Sequence, residues 1–401
     1  MLKEEKKRIN VHGVSILLLL FFITEAYFKV VLFSTGEISL LPQVTKGITF
    51  VCLTLYLLIK KPKQLLVIGG LFITFLIGQI AIANGFSISI LIAFIKLIFP
   101  ILLLLFFLNY KLSDSQRELL FMFFEYIMLF NAFMIIVGVL FNVEAFHSYL
   151  GDRFGFNGLF VSTATGSYAY CIALICLFAK YKKAVFKKIP NLIIIFSMFF
   201  IGTKVCYLFL FSFFVIYLWK YMRFNKKIVG CLLLLFSCMC VYFVFFKFGI
   251  FNEIRQKHGL MSSLMSYRDV LFLERTLPFI KGNWSIVNYL FGGVSDLKTK
   301  SQMEFVDIFY FFGIIGGFFY YSVFFKAFLI FKPNIYITIL LSVLFIIVLL
   351  AGNFFSYPSV AIYIVVLREY LKLNEQNQHT QYAYSQFNNA RNFKYCRPYN
   401  K

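Results

Sequence analysis

Residues 191–219 read NLIIIFSMFFIGTKVCYLFLFSFFVIYLW, with Lys204 as the one charge in the run. A helix needs about 20 apolar residues to cross the roughly 30 Å hydrocarbon layer of a bilayer. This stretch is long for one crossing and short for two. Its flanks decide. Lys180, Lys182, Lys183, Lys187 and Lys188 precede it, and Lys220, Arg223, Lys226 and Lys227 follow it. Basic residues collect on the cytoplasmic side of short loops, so both flanks belong inside. The chain is therefore expected to cross twice and to turn near Gly202, Thr203 and Lys204.

The same reading extends along the chain. Of its 401 residues, 61% are hydrophobic and 14% charged, with 56 phenylalanines, whereas soluble domains run near 45–50% apolar and about 25% charged. Apolar runs place spanning helices at about 12–33, 45–59, 64–83, 86–108, 119–141, 160–179, 189–203, 204–219, 228–247, 305–325, 334–351 and 355–371. The expected architecture is an all-α polytopic integral membrane protein of about 12 transmembrane helices. One polytopic domain covers 1–371, with a large extracytoplasmic loop at about 248–303, and 372–401 forms a polar, flexible cytoplasmic tail. Basic residues followed by an apolar run open the chain as in a signal peptide, but that run is long enough to span and is read as a retained first helix.

Charge placement fixes the orientation. Of the 39 Lys and Arg residues, 26 fall on the proposed inner side when both termini are cytoplasmic. The net charge of +22 is then a topology signal and an attraction to anionic lipid, and no nucleic acid is expected as a partner. Lys29, Lys46 and Lys96 fall outside this pattern and find no account in it. Seven of the eight cysteines lie in apolar runs, and the four histidines have no ligand spacing, so neither a disulfide framework nor a metal site is indicated.

Chemistry is expected on the outer side, where two loops are long. One, Asn142 to Leu159, contains Arg153-Phe154-Gly155. The other is rich in Lys and Arg, and its pattern over Leu264–Ile280 fits an amphipathic surface helix. Its basic side chains fit either a solvated face or an anion site, since guanidinium groups present a forked donor array to phosphate. Lys204, an ionisable group at membrane depth, is a functional candidate and equally a lysine that snorkels to headgroups. Glu304 and Asp307, three apart, share one face at the start of a helix. The helix dipole alone would favour them there, and a carboxylate beside cations is also what a base for a sugar hydroxyl needs. Gly313, Gly316 and Gly317 permit close helix approach.

Taken in order, these pieces resemble the O-antigen and capsular polysaccharide polymerase family (Wzy-like), within the O-antigen ligase and polymerase group. The resemblance rests on Arg153-Phe154-Gly155, Gly202-Thr203-Lys204, Ser266-Tyr267-Arg268, Phe291-Gly292-Gly293, and Glu304 and Asp307 with the glycines after them. It implies an inverting, metal-independent glycosyltransferase without a cofactor, in the bacterial cytoplasmic (inner) membrane. Such an enzyme joins undecaprenyl-diphosphate-linked oligosaccharide repeat units for O-antigen, capsule or exopolysaccharide, alongside membrane lipids, a flippase and a chain-length regulator. Transposed here, Glu304 and Arg268 would be catalytic, Arg153, Lys204, Arg268 and Arg275 would bind the donor diphosphate, and Asp307 would support them. Ligases of the group commonly carry histidine where this chain has Glu304, which favours the polymerase. The competing readings are a ligase and a flippase for lipid-linked oligosaccharides.

Overall fold

A computed structural model describes residues 13–82, 85–149, 153–221, 242, 246 and 249–395, with side chains as far as Gln376. Among them the protein is helical. The only extended pairing is a single bridge between His147 and Phe156. The helices are α1 (Gly13–Thr35), α2 (Leu41–Lys60), α3 (Pro62–Ile80), α4 (Ile88–Asn109), α5 (Asp114–Phe141), α6 (Thr163–Tyr181), α7 (Ile189–Phe199) and α8 (Lys204–Tyr221). They continue with α9 (Gly249–Met265), α10 (Arg268–Leu271), α11 (Leu277–Asn283), α12 (Ile286–Phe291), α13 (Glu304–Phe328), α14 (Ile335–Ala351) and α15 (Pro358–Tyr395).

Seven of these, α1 to α5, α8 and α13, are long and apolar enough to cross a membrane, and α7 and α14 are shorter apolar helices. The protein is an all-α membrane protein. Each expected span within the described residues carries a helix; the one at 228–247 lies outside them. Local signals set the helix ends. Ser113 and Gln116 form a reciprocal capping box at the start of α5, and prolines occupy the first turns of α2, α3 and α7, where their missing N–H costs nothing. The last helix, α15, runs past the final apolar stretch through the polar residues after Asn374.

The core is the pair α6 and α15. Tyr168–Ala179 and Val360–Leu371 are buried at every position, so these stretches are enclosed on all sides rather than striped, and carry no charge except the paired Arg368 and Glu369. At one end of the bundle Arg368 donates to the carbonyls of Leu104 (3.0 Å) and Ala327 (3.1 Å) and pairs with Glu369, which also accepts from Arg117 at 3.0 Å. This buried network ties α4, α5, α13 and α15. The paired geometry keeps burial of these charges tolerable.

The opposite end holds 142–149, 153–162, the α7–α8 turn and the segment 249–303. Here the chain departs from its amphipathic pattern over 264–280. A single helix is interrupted because Ser266 (φ 55°) and Tyr267 (φ 66°) are both left-handed; the chain restarts at Arg268 and passes through a π turn at Phe272–Thr276 into α11. The segment then docks on α13. Trp284 is buried, donates to the carbonyl of Gly293 at 3.0 Å and stacks on Tyr310 with centroids 5.8 Å apart. Gly313 does more than admit a neighbouring helix. It breaks α13 at φ 66° and ψ −169°, and a side chain there would meet the nitrogen of Gly292 at 2.4 Å. The residues 290–292 press directly into that kink.

Candidate functional site

Two turns interlock first. Phe156 donates its N–H to the carbonyl of Phe200 at 2.6 Å, and the Ser148 hydroxyl donates to the carbonyl of Ile201 at 2.8 Å. Gly202 has φ 75°, and a Cβ there would lie 2.5 Å from the carbonyl oxygen of Phe154. Only glycine fits this contact. The consequence is positional: Arg153 and Lys204, which flank the two turns, are brought side by side. Thr203 caps the next helix, accepting from the N–H of Cys206 at 3.3 Å and sharing a hydrogen bond with Ser167 at 2.8 Å.

An aromatic ring joins the two cations. The Lys204 ammonium lies 3.7 Å from the ring centroid of Phe251, and the Arg153 guanidinium lies 5.8 Å from the same ring and 3.8 Å from that of Tyr149. Such contacts hold a cation without neutralising it. Lys204 also donates to the carbonyl of Ser263 and, at 3.2 Å, to that of Leu264. These are carbonyls of the last turn of α9, where a cation satisfies both the unpaired acceptors and the dipole. Part of Lys204 is thus engaged in fastening α9.

The left-handed turn that follows presents Arg268. Tyr267 N–H bonds the carbonyl of Ser262 at 3.0 Å and Ser262 bonds Asp269 at 2.5 Å, so the turn is fixed from both sides. Non-glycine residues in this conformation cost about 1–3 kcal/mol each and persist where their surroundings impose them. Arg268 makes no hydrogen bond or ion pair to a described residue, and its buried Nε has no partner. Burial pushes its guanidinium below the usual range, while Tyr168, Asp307, Tyr149 and Glu304 act in the opposite sense. Arg268 and Arg153 are in turn the charged neighbours of Lys204. Three cations from three separate segments therefore converge, and one of them is a guanidinium with nothing to bind.

The carboxylates complete the cluster. Glu304 is 2% exposed. Its oxygens accept the N–H groups of Phe354 (3.1 Å), Phe355 (2.9 Å) and Ser356 (3.2 Å), holding the loop between α14 and α15. Asp307 accepts from the N–H (3.0 Å) and hydroxyl (3.1 Å) of Ser301 and is the less enclosed of the two. Lys300 is a charged neighbour of both. Arg275 stands apart. It is exposed, two turns beyond Arg268, and makes no hydrogen bond or ion pair to a described residue.

Tyr149, Phe251 and Lys300 were not singled out from the sequence. Their roles depend on which turn meets which, and a ring in a loop gives no sign of the cation that will lie over it. Tyr168, whose hydroxyl donates to the carbonyl of Gly352 at 2.7 Å, was hidden within an apolar helix.

No family model, curated protein or solved structure matches this chain.

Proposed function

We propose that the protein is a polymerase of lipid-linked oligosaccharide repeat units, an inverting glycosyltransferase working at the outer leaflet of the bacterial cytoplasmic membrane. In this reading the chain crosses twelve times with both termini inside, the segment 248–303 faces outward, and the donor is a sugar chain on a polyprenyl diphosphate. The acceptor hydroxyl forms its bond to the anomeric carbon from the face opposite the phosphate. The carbon–oxygen bond to the diphosphate breaks, its electron pair leaves with the diphosphate, and the hydroxyl proton passes to a carboxylate and on to water.

The observation that carries this reading is the convergence of Arg153, Lys204 and Arg268, with Arg268 unpaired beside Asp307 and Glu304. A membrane-borne diphosphate needs cations near the headgroups, and fixed cations in a partly dry site stabilise negative charge as it develops on a leaving group. Asp307 suits the proton-accepting role better than Glu304 does, because both oxygens of Glu304 already serve backbone N–H groups. Arg275 is not needed in the first contacts with the donor.

The test is surface polysaccharide from cells lacking the protein, complemented with wild type, Arg268→Gln or Asp307→Asn at matched expression. Polymerisation requires single repeat units in place of a ladder for both variants. Long polymer retained on its lipid carrier would identify a ligase instead, and repeat units trapped on the cytoplasmic face a flippase. A normal ladder from both variants would refute the site.

A further inference from the structure

Three lysines, Lys46, Lys96 and Lys300, gather near one another, and the donor site uses none of them. Lys46 sits one turn before Phe50 on α2, and Lys96 sits one turn before Phe99 on α4. The rings of Phe50 and Phe99 stack at 6.5 Å, and both helices begin at the same end of the bundle. The two ammonium groups therefore stand on the same side of that contact, and Lys96 has Lys46 and Lys300 as its charged neighbours. Lys300 precedes α13, with its ammonium 5.1 Å from the centroid of Phe311. Phe311 stacks on Phe75 of α3 at 5.7 Å, and Tyr320 of α13 donates to the carbonyl of Leu97, next to Lys96, at 2.8 Å.

The partners of these lysines are unequal. Lys46 pairs with Glu25 at 2.7 Å and donates to the Ser359 hydroxyl at 2.6 Å. Lys96 is exposed and makes no hydrogen bond or ion pair to a described residue. It is the ninth residue of α4, about 12 Å along the axis at 1.5 Å per residue, where an unpaired charge is costly and marks a functional site by default. Pro100 lies four residues on and has no N–H for the Lys96 carbonyl, which loosens the helix at this position. Lys46 is matched by Glu25 and Lys300 has Glu304 and Asp307 as charged neighbours, which leaves Lys96 as the ammonium of this group without a carboxylate partner among the described residues.

The cluster also connects to the carboxylates. Ser359, which Lys46 holds, opens α15 three residues after Ser356, whose N–H is bound by Glu304. Glu304 and Asp307 thus have both Arg268 and Lys300 as charged neighbours.

We propose that Lys46, Lys96 and Lys300 form a second anion subsite, which takes the diphosphate of the acceptor chain beside Glu304 and Asp307. The proposal rests on the polymerase reading and adds the position of the second substrate. Its chemistry is recognition of a membrane-borne phosphate ester by ammonium groups, which act as point charges on flexible stems. An ordinary phospholipid headgroup carries the same chemistry, so the test separates the two sources.

Full-length protein in phosphatidylcholine nanodiscs is titrated with geranylgeranyl diphosphate, and the bound equivalents are counted by native mass spectrometry. Wild type is expected to hold two equivalents. Lys96→Gln with Lys300→Gln should weaken one of them about tenfold or more, and Arg268→Gln should weaken the other. Because Lys96 has no described partner, the double variant is expected to elute as a single species like wild type. Two unaltered equivalents in the lysine variant would overturn the subsite, as would a single equivalent lost only with Arg268→Gln, which leaves the donor site standing. Loss in the lysine variant alone, with Arg268→Gln unaffected, would sink the donor assignment and keep the subsite. Phosphatidylglycerol that displaces the second equivalent, with a normal polysaccharide ladder from the lysine variant, would make it a lipid site and refute the acceptor role.

Discussion

Replacing Glu304 separates the two things a buried carboxylate can do. Its oxygens accept three backbone N–H groups between 2.9 and 3.2 Å, from Phe354, Phe355 and Ser356. Glu304→Ala removes both acceptor oxygens, and with them all three hydrogen bonds, inside a site that is 2% exposed. Each buried donor left without a partner costs about 1–3 kcal/mol, so three could cost up to roughly 9 kcal/mol. Relaxation of the 352–356 loop and entry of water should bring the loss toward the lower end, on the order of 3 kcal/mol. Glu304→Gln keeps one acceptor oxygen and the volume, and its loss should be roughly 1–2 kcal/mol as charge assistance disappears. The assay is thermal unfolding in detergent followed by size-exclusion chromatography, with polysaccharide ladders scored from the same strains. The expected order of stability is wild type, then Gln, then Ala, with residual polymer from Gln. If Ala is as stable as wild type yet makes no polymer, Glu304 acts in the reaction and its role as a loop anchor is refuted.

Other substitutions follow from the same geometry. Arg268→Gln should abolish polymer while leaving thermal stability equal to or above wild type, since it removes an unpaired guanidinium whose burial is unfavourable; a clear drop in stability would mean Arg268 has a structural partner. Lys29→Met strands the Asn157 side chain and the Gly158 carbonyl, which the buried ammonium of α1 binds, the latter at 2.6 Å. A loss of about 1–3 kcal/mol is expected, read as a lowered unfolding temperature and faster proteolysis of the 153–160 loop. Gly202→Val places a β-branched residue at φ 75° with its Cβ 2.5 Å from the Phe154 carbonyl. The two turns must then separate, and loss of polymer is expected even where folded protein is recovered in a size-exclusion trace; a normal ladder would show that the turn contact is dispensable.

The helices were legible because lipid imposes a simple rule, that about 20 apolar residues make a span, and each run obeying it within the described residues is helical. The turn at Gly202 was legible from charge on its flanks. What patterning missed are places where one backbone meets another. The left-handed pair Ser266 and Tyr267 contains no glycine and no proline, so nothing local announces the break. Gly313 was visible as a small residue, but a kink filled by 290–292, at the end of α12, depends on a segment some twenty residues away. Lys29 and Lys46 resisted explanation for the same reason: their partners lie on other helices and loops, Asn157, Gly158 and Ser359 more than a hundred residues on and Glu25 on the preceding helix, and no periodicity reports such contacts.

The placement of charge also bears on why Glu304 is buried so thoroughly. A mobile carboxylate beside these cations would pair with the nearest of them, and in the polymerase reading would block the proposed phosphate contacts. Three backbone N–H groups prevent this by holding Glu304 away from direct ion pairs with Arg268 and Lys300, and Ser301 restrains Asp307 in the same way. Backbone donors fix a carboxylate without cancelling the positive field beyond it, which a salt bridge would do. Arg268 then keeps a buried Nε without a partner, at a cost in stability.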